Sequence, residues 1–175
     1  MPLGSSTALA VDRAVDLVNL HVESDGQISQ DDLPPLLGSY AADDAPLDAA
    51  AFNRLGADLH EALHDPSPAE RIRRINHLLE RLQPIPRLRL HDEGHDDPGA
   101  YFEYGVIGSE VDRIAAVMVM AIANAVVEEG EDRFGWCAAP QCARLFFDRS
   151  RNRSQRFCSR VCATRVHVRA HRARQ

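Results

Sequence analysis

Four cysteines in the last quarter of the chain are the residues whose type and spacing most directly predict chemistry. They form a C-x4-C pair and a C-x3-C pair with fifteen residues between the pairs: Cys137, Cys142, Cys158 and Cys162. Thiolate pairs at such short spacing can bind one tetrahedral Zn²⁺, and the intervening length suits a small hairpin. Because four thiolates leave no open position for water, we expect one structural zinc ion per chain and no catalytic one.

The cysteines lie in a strongly basic segment of an otherwise acidic chain. Residues 133–175 contain 11 arginines and 1 acidic residue, a net charge of +10, whereas residues 1–132 contain 9 arginines and 25 acidic residues, a net charge of −16. The two values sum to the formal net charge of −6 for the whole chain. This asymmetry indicates that the basic segment contacts a polyanion. We therefore predict an acidic domain over 1–132 and a basic zinc-binding domain over 133–175.

Hydrophobic periodicity predicts that the acidic domain is mainly helical. The predicted helices cover five ranges: 8–22, 31–40, 47–63, 68 to the residue before Pro84, and 110–129. Alternating apolar and polar residues around Leu88 and Phe102 predict a small β-hairpin within 85–104. The helix over 110–129 is the most apolar and is expected to form the centre of the core.

The basic domain is predicted to be a small fold that depends on its metal. Residues from Cys137 to Cys142 are expected to form the first metal-binding turn, 145–147 one strand, and 156–158 the strand that returns beside it. Ser159 is a candidate N-cap for a final helix that carries Cys162 in its first turn. The predicted fold class is therefore mainly α: a helical domain with a small β-hairpin, followed by a treble-clef-like zinc finger with a hairpin and a helix.

Seven arginines of the basic domain are predicted to contact nucleic acid, because guanidinium groups bind phosphate oxygens and guanine edges. They lie in the segment between the cysteine pairs and on the final helix: Arg149, Arg151, Arg153, Arg156, Arg165, Arg169 and Arg172. The last three stand at i, i+4 and i+7 and so share one helix face. The alternative is a zinc-stabilised interaction module whose basic surface docks on an acidic protein surface, including that of the acidic domain itself.

A third hypothesis, a zinc hydrolase, arises because His60-Glu61-Ala62-Leu63-His64 matches the letters of the H-E-x-x-H motif. That motif needs a third ligand, and the candidates His77, Glu80 and His91 stand at no diagnostic spacing. The histidine-containing acidic stretch 91–97 is a further candidate metal site, but such stretches are usually solvated. We interpret the histidine pair as part of an amphipathic helix and expect no catalytic residues and no enzymatic activity.

The basic domain resembles the CGNR zinc finger. Five segments carry the resemblance: Cys137-Ala138-Ala139-Pro140-Gln141-Cys142, Leu145–Asp148, Ser150–Ser154, Arg156–Ser159 and His171–Arg174. In place of the Cys-Gly-Asn-Arg that names this family, the chain has Cys162-Ala163-Thr164-Arg165, which keeps the ligand and the arginine. The upstream part resembles the helical ABATE domain, whose opening motif is similar to Asp16-Leu17-Val18-Asn19.

The resemblance implies a bacterial, stress-related transcriptional regulator in which a DNA-binding finger follows a sensing or dimerising domain. We accordingly expect DNA as the partner and a small-molecule ligand for the acidic domain. A homodimer is also expected, because one small finger binds DNA weakly. Neither a secretory signal nor a membrane-spanning segment is visible in the sequence. We therefore expect a cytoplasmic protein, and thiols that stay reduced there favour metal binding over disulfides.

Overall fold

The computed structural model describes residues 5–38, 47–90 and 99–172, and it is mainly helical with two small antiparallel hairpins. The elements in chain order are α1 (Ser5–Glu23), α2 (Leu33–Leu37), α3 (Ala49–His64), α4 (Pro68–Leu82), β1 (Ile85–Leu90), β2 (Ala100–Gly105), α5 (Glu110–Glu129), β3 (Phe134–Trp136), β4 (Leu145–Phe147) and α6 (Arg160–Arg172). Short 3-10 turns precede α2 and follow α5. The predicted fold class is confirmed.

Helix α5 lies at the centre of the core, as its apolar sequence predicted. It begins at a capping box, in which the Ser109 hydroxyl accepts from the Asp112 amide at 3.2 Å and the Asp112 carboxylate accepts from the Ser109 amide at 2.8 Å. Its buried residues include Ile114, Met118 and Ile122, and it packs against α1 and α4. No helix in the described ranges is long and apolar enough to cross a membrane.

The hydrophobic core continues from the helices into the basic segment. Phe134 of β3 and Leu145 and Phe147 of β4 are buried in the same cluster as the core residues of the helices. Helix α1 contacts β4 directly. The boundary between residues 132 and 133 stays a prediction, and the apolar packing itself is continuous across that position.

The predicted pairing of the second hairpin is wrong. Strand β4 pairs with β3, which precedes the first cysteine, and residues 156–158 form no strand. The pairing sets Gly135 opposite Phe146. A Cβ atom added at Gly135 would lie only 2.7 Å from Cζ of the Phe146 ring. Any larger residue at 135 would force this ring to move, and glycine lets the aromatic ring cover the backbone. The segment predicted as a strand contributes one backbone contact instead, in which Arg156 O accepts from Ala138 N at 2.8 Å.

A buried asparagine joins α1 to β4. The Asn19 side chain is 4% exposed, its Nδ2 donates to Leu145 O at 3.1 Å, and its Oδ1 accepts from Leu145 N at 2.7 Å. The amide therefore pairs with both backbone groups of one strand residue, as a neighbouring strand would. This contact positions the hairpin that leads into the first cysteine pair.

Asn19→Ala is expected to destabilise the zinc-loaded protein by about 2–4 kcal/mol, because it leaves both buried backbone groups of Leu145 without partners. Chemical denaturation of the full chain in excess zinc measures the loss. Asn124→Ala is the matched control, since its amide makes a longer hydrogen bond of 3.5 Å to the Tyr104 hydroxyl. Equal losses in the two variants would contradict this role of Asn19.

Candidate metal centre and arginine surface

The four cysteine side chains converge on one point. All four Sγ atoms lie within 4.8 Å of one another. The Sγ atoms of Cys142, Cys158 and Cys162 are 3.7–3.8 Å apart. Four sulfurs placed tetrahedrally at about 2.3 Å from a zinc ion have edges of about 3.8 Å. The sulfur cluster therefore has the dimensions of a tetrahedral zinc site.

The first cysteine pair is positioned by the backbone turn that follows β3. Cys137 N donates to Arg144 O at 2.9 Å, and Cys142 N donates to Ala139 O at 3.1 Å. Gln141 has a φ of +64°, in the left-handed region where a non-glycine residue is uncommon. This conformation closes the turn and brings the second sulfur back beside the first.

The second pair is positioned by the start of α6. Ser159 Oγ accepts a hydrogen bond from Cys162 N at 3.3 Å, so the predicted N-cap is present and Cys162 lies in the first helical turn. Cys158 directly precedes the cap, and its amide donates to Cys137 Sγ at 3.4 Å. The positive end of the helix dipole thus faces sulfurs that carry negative charge when they bind a metal.

The thiol pKa values show why this cluster needs a cation. Burial raises the pKa of Cys137, but amide donors from Cys158 and Ala139, together with hydrogen bonds from the Cys142 and Cys158 thiols, lower that pKa to about 7. Burial and the neighbouring thiols raise the pKa of Cys158 to about 12, and burial also raises the pKa of Cys142. Four thiolates this close repel one another, and a divalent cation removes that penalty by binding all four. The donor set therefore fits one Zn²⁺ in a closed, structural site.

Residues 133–175 thus form a zinc finger whose four cysteines are positioned to bind a metal. The family model of the CGNR zinc finger matches these same residues, 133–175. No curated protein matches the chain. The predicted cofactor, one structural zinc ion, is confirmed. The family match begins at residue 133, so the resemblance of the upstream part to the ABATE domain stays a prediction.

Two of the seven predicted nucleic-acid contacts hold the finger against the helices. Arg149 Nη1 lies 2.8 Å from an Asp12 carboxylate oxygen, and its Nη2 donates to Ala8 O at 3.2 Å. Arg153 Nη1 lies 2.9 Å from an Asp132 carboxylate oxygen. Both arginine side chains remain 49% exposed, so each ion pair contributes little stability, typically below about 1 kcal/mol. Their significance is positional: they orient the finger on the acidic body.

Two further arginines of the finger have docking roles that the sequence analysis missed. Arg144 Nη1 lies 3.2 Å from a Glu23 oxygen. Arg133 lies 3.3 Å from Glu129 and donates to the Ser150 carbonyl at 2.6 Å. The Arg133–Glu129 pair could have been found from the sequence, because residues four apart lie on neighbouring turns of helical backbone. No local pattern indicates the Arg144–Glu23 pair, whose partners are far apart in the sequence.

The single acidic residue of the finger shapes its arginine-rich turn. Asp148 is 4% exposed and accepts from Ser150 N at 2.7 Å and from Gln155 N at 2.9 Å. Burial raises the pKa of Asp148, but a hydrogen bond from the Ser150 side chain, these two amide bonds and the nearby Arg133 lower the pKa further than burial raises it. The ionised carboxylate therefore fixes both ends of the turn that presents Arg151 to solvent.

The other five predicted contacts, together with Arg160, are exposed. None of the six forms an ion pair in the described part of the chain: Arg151, Arg156, Arg160, Arg165, Arg169 and Arg172. On α6 the half-buried Val166 packs beside the metal cluster, whereas Arg165 and Arg169 are exposed. The finger therefore divides its arginines between an inner set that binds the acidic body and an outer set that is unpaired, which we call the outer arginine surface.

The histidine pair of the hydrolase hypothesis packs against the finger. His60 and His64 stack with ring centroids 5.2 Å apart, and Trp136 meets both rings edge-on at 5.2 and 5.0 Å. Trp136 Nε1 also donates to Leu63 O at 3.3 Å. Within the described residues, the four cysteines are the group of three or more potential metal ligands that the structure brings together. The other candidate metal site, 91–97, lies outside those residues.

Acidification between pH about 7.5 and about 5.5 is expected to weaken this contact. Burial, followed by His64 and His21, lowers the pKa of His60 below its ordinary value. The unfolded chain therefore takes up this proton at higher pH than the native one. The stability that neutral His60 contributes is present above the ordinary histidine pKa and is lost as the pH falls through the lowered folded value.

The test compares the melting temperature of the zinc-loaded chain at the two pH values with that of two variants. His60→Gln is expected to show a smaller decrease on acidification than the unmodified chain. His77→Gln removes an exposed histidine on α4 and is expected to leave the decrease unchanged. Because loss of zinc in acid affects all three proteins, the difference between them isolates the imidazole. Identical decreases would contradict the assignment.

Proposed function

We propose that the chain is a zinc-dependent, DNA-binding transcriptional regulator and not an enzyme. The observation that carries this proposal is the outer arginine surface, six exposed guanidinium groups without a carboxylate partner in the described part of the chain. Such groups keep all their donors for phosphate oxygens and guanine edges. The resemblance to a family of stress-related bacterial regulators supports the same proposal and a cytoplasmic location.

The surface is built on two segments of suitable shape. One is α6, where Arg165, Arg169 and Arg172 recur at helical spacing, and a helix fits the major groove of DNA. The other is the turn braced by Asp148, which presents Arg151 to solvent. Phosphate contacts from both segments would set the register, and contacts from α6 to base edges would supply sequence preference.

The acidic helical part complements this role. Its net charge of −16 repels a polyanion, so DNA is directed to the finger and away from the helices. The inner arginines orient the finger on that body through Asp12, Glu23 and Asp132. We assign to the helical part the binding of a small-molecule signal, which would reach the finger through this shared packing.

The second candidate is a zinc-stabilised module that binds an acidic protein surface. The inner arginines favour it, because Arg144, Arg149 and Arg153 already bind carboxylates across the finger's contact with the helices. The outer arginine surface would then extend the same chemistry to another protein. Salt weakens both kinds of contact, so salt dependence alone does not separate the two candidates. They differ in the polyanion that they prefer, DNA or an acidic polypeptide.

The experiment titrates the full-length, zinc-loaded protein into a labelled mixed-sequence duplex at several salt concentrations. Contacts to five or six phosphates predict that log K falls against log salt concentration with a slope of about −5. Polyglutamate of matched charge is expected to compete poorly. A slope near zero, or no binding at low salt, would overturn the DNA-binding proposal. Preferential binding of polyglutamate would favour the interaction module.

A further inference from the structure

Helix α6 carries a row of β-branched side chains on the face turned away from the metal cluster. Val161, Thr164 and Val168 stand at i, i+3 and i+7, so they lie on successive turns of one helix face. Val161 is 67% exposed, Val168 is 43% exposed, and Thr164 between them is exposed as well. The other side of the helix carries Cys162 and Val166, which pack in the metal cluster. We call the three β-branched residues the α6 strip.

The folding of the helix does not explain the α6 strip. Valine and threonine form helices less readily than alanine or arginine, because branching at Cβ restricts the side chain against the preceding turn. Valine methyl groups that stay in water also add nothing to the hydrophobic core. Single exposed apolar residues are common on protein surfaces, but these three form one row of about 10 Å along the helix. Such a row is suited to contact with apolar groups of a partner.

The arginines beside the α6 strip indicate the chemistry of that partner. Arg165 and Arg172 lie along one edge, at i+4 and i+11 from Val161, and Arg160 lies along the other. All three are exposed and form no ion pair in the described part of the chain. The major groove of DNA has phosphates along both edges, and the C5-methyl groups of thymine project into it. Methyl groups along the middle of α6 and guanidinium groups at its edges match that arrangement.

The acidic helices leave this face of α6 open to a polyanion. Asp12 and Asp16 of α1 line the same cleft as Val161 and Arg165. Asp12 binds Arg149 at 2.8 Å, and Asp16 lies 3.7 Å from an arginine of its own helix. Both carboxylates of the cleft are therefore paired, whereas Arg165 has no carboxylate partner among the described residues. The charge at this face of α6 thus favours an anionic partner.

We propose that α6 enters the major groove with the α6 strip toward the bases, and that Val161, Thr164 and Val168 select thymine by contacting its C5-methyl group. The inference rests on the proposed DNA binding and adds the class of sequence that the finger prefers. Apolar contact with the thymine methyl group is one form of direct base readout. The strip is about 10 Å long and base pairs stack about 3.4 Å apart, so it reaches about three successive base pairs. The preferred site then contains thymines within one such short segment.

The experiment selects a binding site and then removes only its thymine methyl groups. Full-length, zinc-loaded protein enriches a duplex from a randomised pool, and that duplex is resynthesised with deoxyuridine in place of its thymines, singly and together. Uracil pairs as thymine does and lacks only the C5-methyl group. The affinity is expected to fall about 4-fold for each contacted methyl group, the effect of exposing one buried methylene-sized group. Replacing two or more contacted thymines should lower the affinity at least about 10-fold.

Replacing the three residues of the α6 strip with alanine tests the same contacts from the side of the protein. This strip variant should bind the thymine and deoxyuridine duplexes within about 2-fold of each other, because alanine is too short to reach the methyl groups. Its salt slope should stay unchanged, since no charge is removed, and alanine preserves the helix. Val127→Ala is the matched control. Val127 is 84% exposed on α5, and its substitution should keep the full difference between the two duplexes.

The outcomes distinguish this inference from the proposed function. Salt-sensitive binding with equal affinities for the two duplexes would overturn the contact to thymine methyl groups and leave DNA binding intact. That result is also expected if the α6 strip docks on a protein instead. A selected site without thymine, or a strip variant that keeps the full difference, would overturn the inference as well. Absence of DNA binding at low salt would overturn both proposals.

Discussion

Replacing Cys158 with serine is expected to abolish tight zinc binding and to unfold only one part of the finger, residues 156–172, which we call its outer half. The apolar cluster around the metal is very small: Cys137, Ala139 and Cys162, with Cys142, Phe157, Cys158 and Val166 at its edge. Such a cluster cannot fold this segment alone, and structural zinc contributes on the order of 10 kcal/mol to comparable fingers. Helix α6 and the coil before it should therefore melt when one ligand is lost.

The inner half of the finger, β3 and β4, should stay folded in the same variant. Phe134, Leu145 and Phe147 of β3 and β4 are buried in the core of the helices, and Asn19 binds both backbone groups of Leu145. These contacts do not involve the metal. The substitution thus separates a zinc-dependent part, residues 156–172, from a part that the helical core holds.

Two measurements check this expectation. Metal analysis should fall from one zinc per chain to none, and amide hydrogen exchange should lose protection over 156–172 while 134–136 and 145–147 keep it. Chelation of zinc from the unmodified chain should reproduce the pattern. Ser154→Ala, an exposed change in the same finger, should leave zinc and protection unaltered. A fully protected α6 in the zinc-free variant would show that the metal does not hold this fold.

The second large effect is expected at the outer arginine surface. Replacing Arg165, Arg169 and Arg172 together with alanine removes three exposed charges from one face of α6. The affinity for duplex DNA at low salt should fall by at least about 100-fold, and the magnitude of the salt slope should fall by about 3. Alanine is a strong helix former, so the helix itself should persist.

The control for this triple variant is Arg144→Ala. Arg144 belongs to the same finger but pairs with Glu23 on the helical part, so its loss should leave the salt slope almost unchanged. Fluorescence anisotropy with one labelled duplex serves all the variants. If the triple variant binds DNA like the unmodified chain, α6 is not the DNA-binding helix. If it instead loses affinity for polyglutamate, the finger binds acidic protein surfaces.

In the proposed regulator, two contacts would link the helical part to the outer arginine surface. Trp136 ends β3 directly before the first ligand, and it packs against His60 and His64 of α3. Arg149 reaches Asp12 of α1 from the segment that leads into the second cysteine pair. We propose that a shift of α3 or α1 would reach the metal site through Trp136 and through the segment that carries Arg149. This packing supports the proposal that a signal bound by the helices alters DNA binding.

The sequence by itself determined the long helices and the metal ligands. The bounds predicted for α5, 110–129, agree with the structure because a capping serine, a long apolar run and Gly130 are all local signals. The cysteine pairs were equally visible, because each pair spans a single turn and needs no distant partner. The exposure of Leu88, Leu90 and Phe102 could not be foreseen, since alternation shows that two faces of a hairpin differ but not which one is covered.

Only the tertiary structure decided the partner of β4 and the division of the arginines. Residues 145–147 suit pairing with either neighbouring segment, and the packing of Phe134 into the helical core selects β3. Arg149 and Arg151 are two residues apart and look equivalent in sequence, yet the first binds Asp12 and the second is exposed and unpaired within the described residues. The physical reason is that these choices depend on where α1 lies, and long-range packing sets that position.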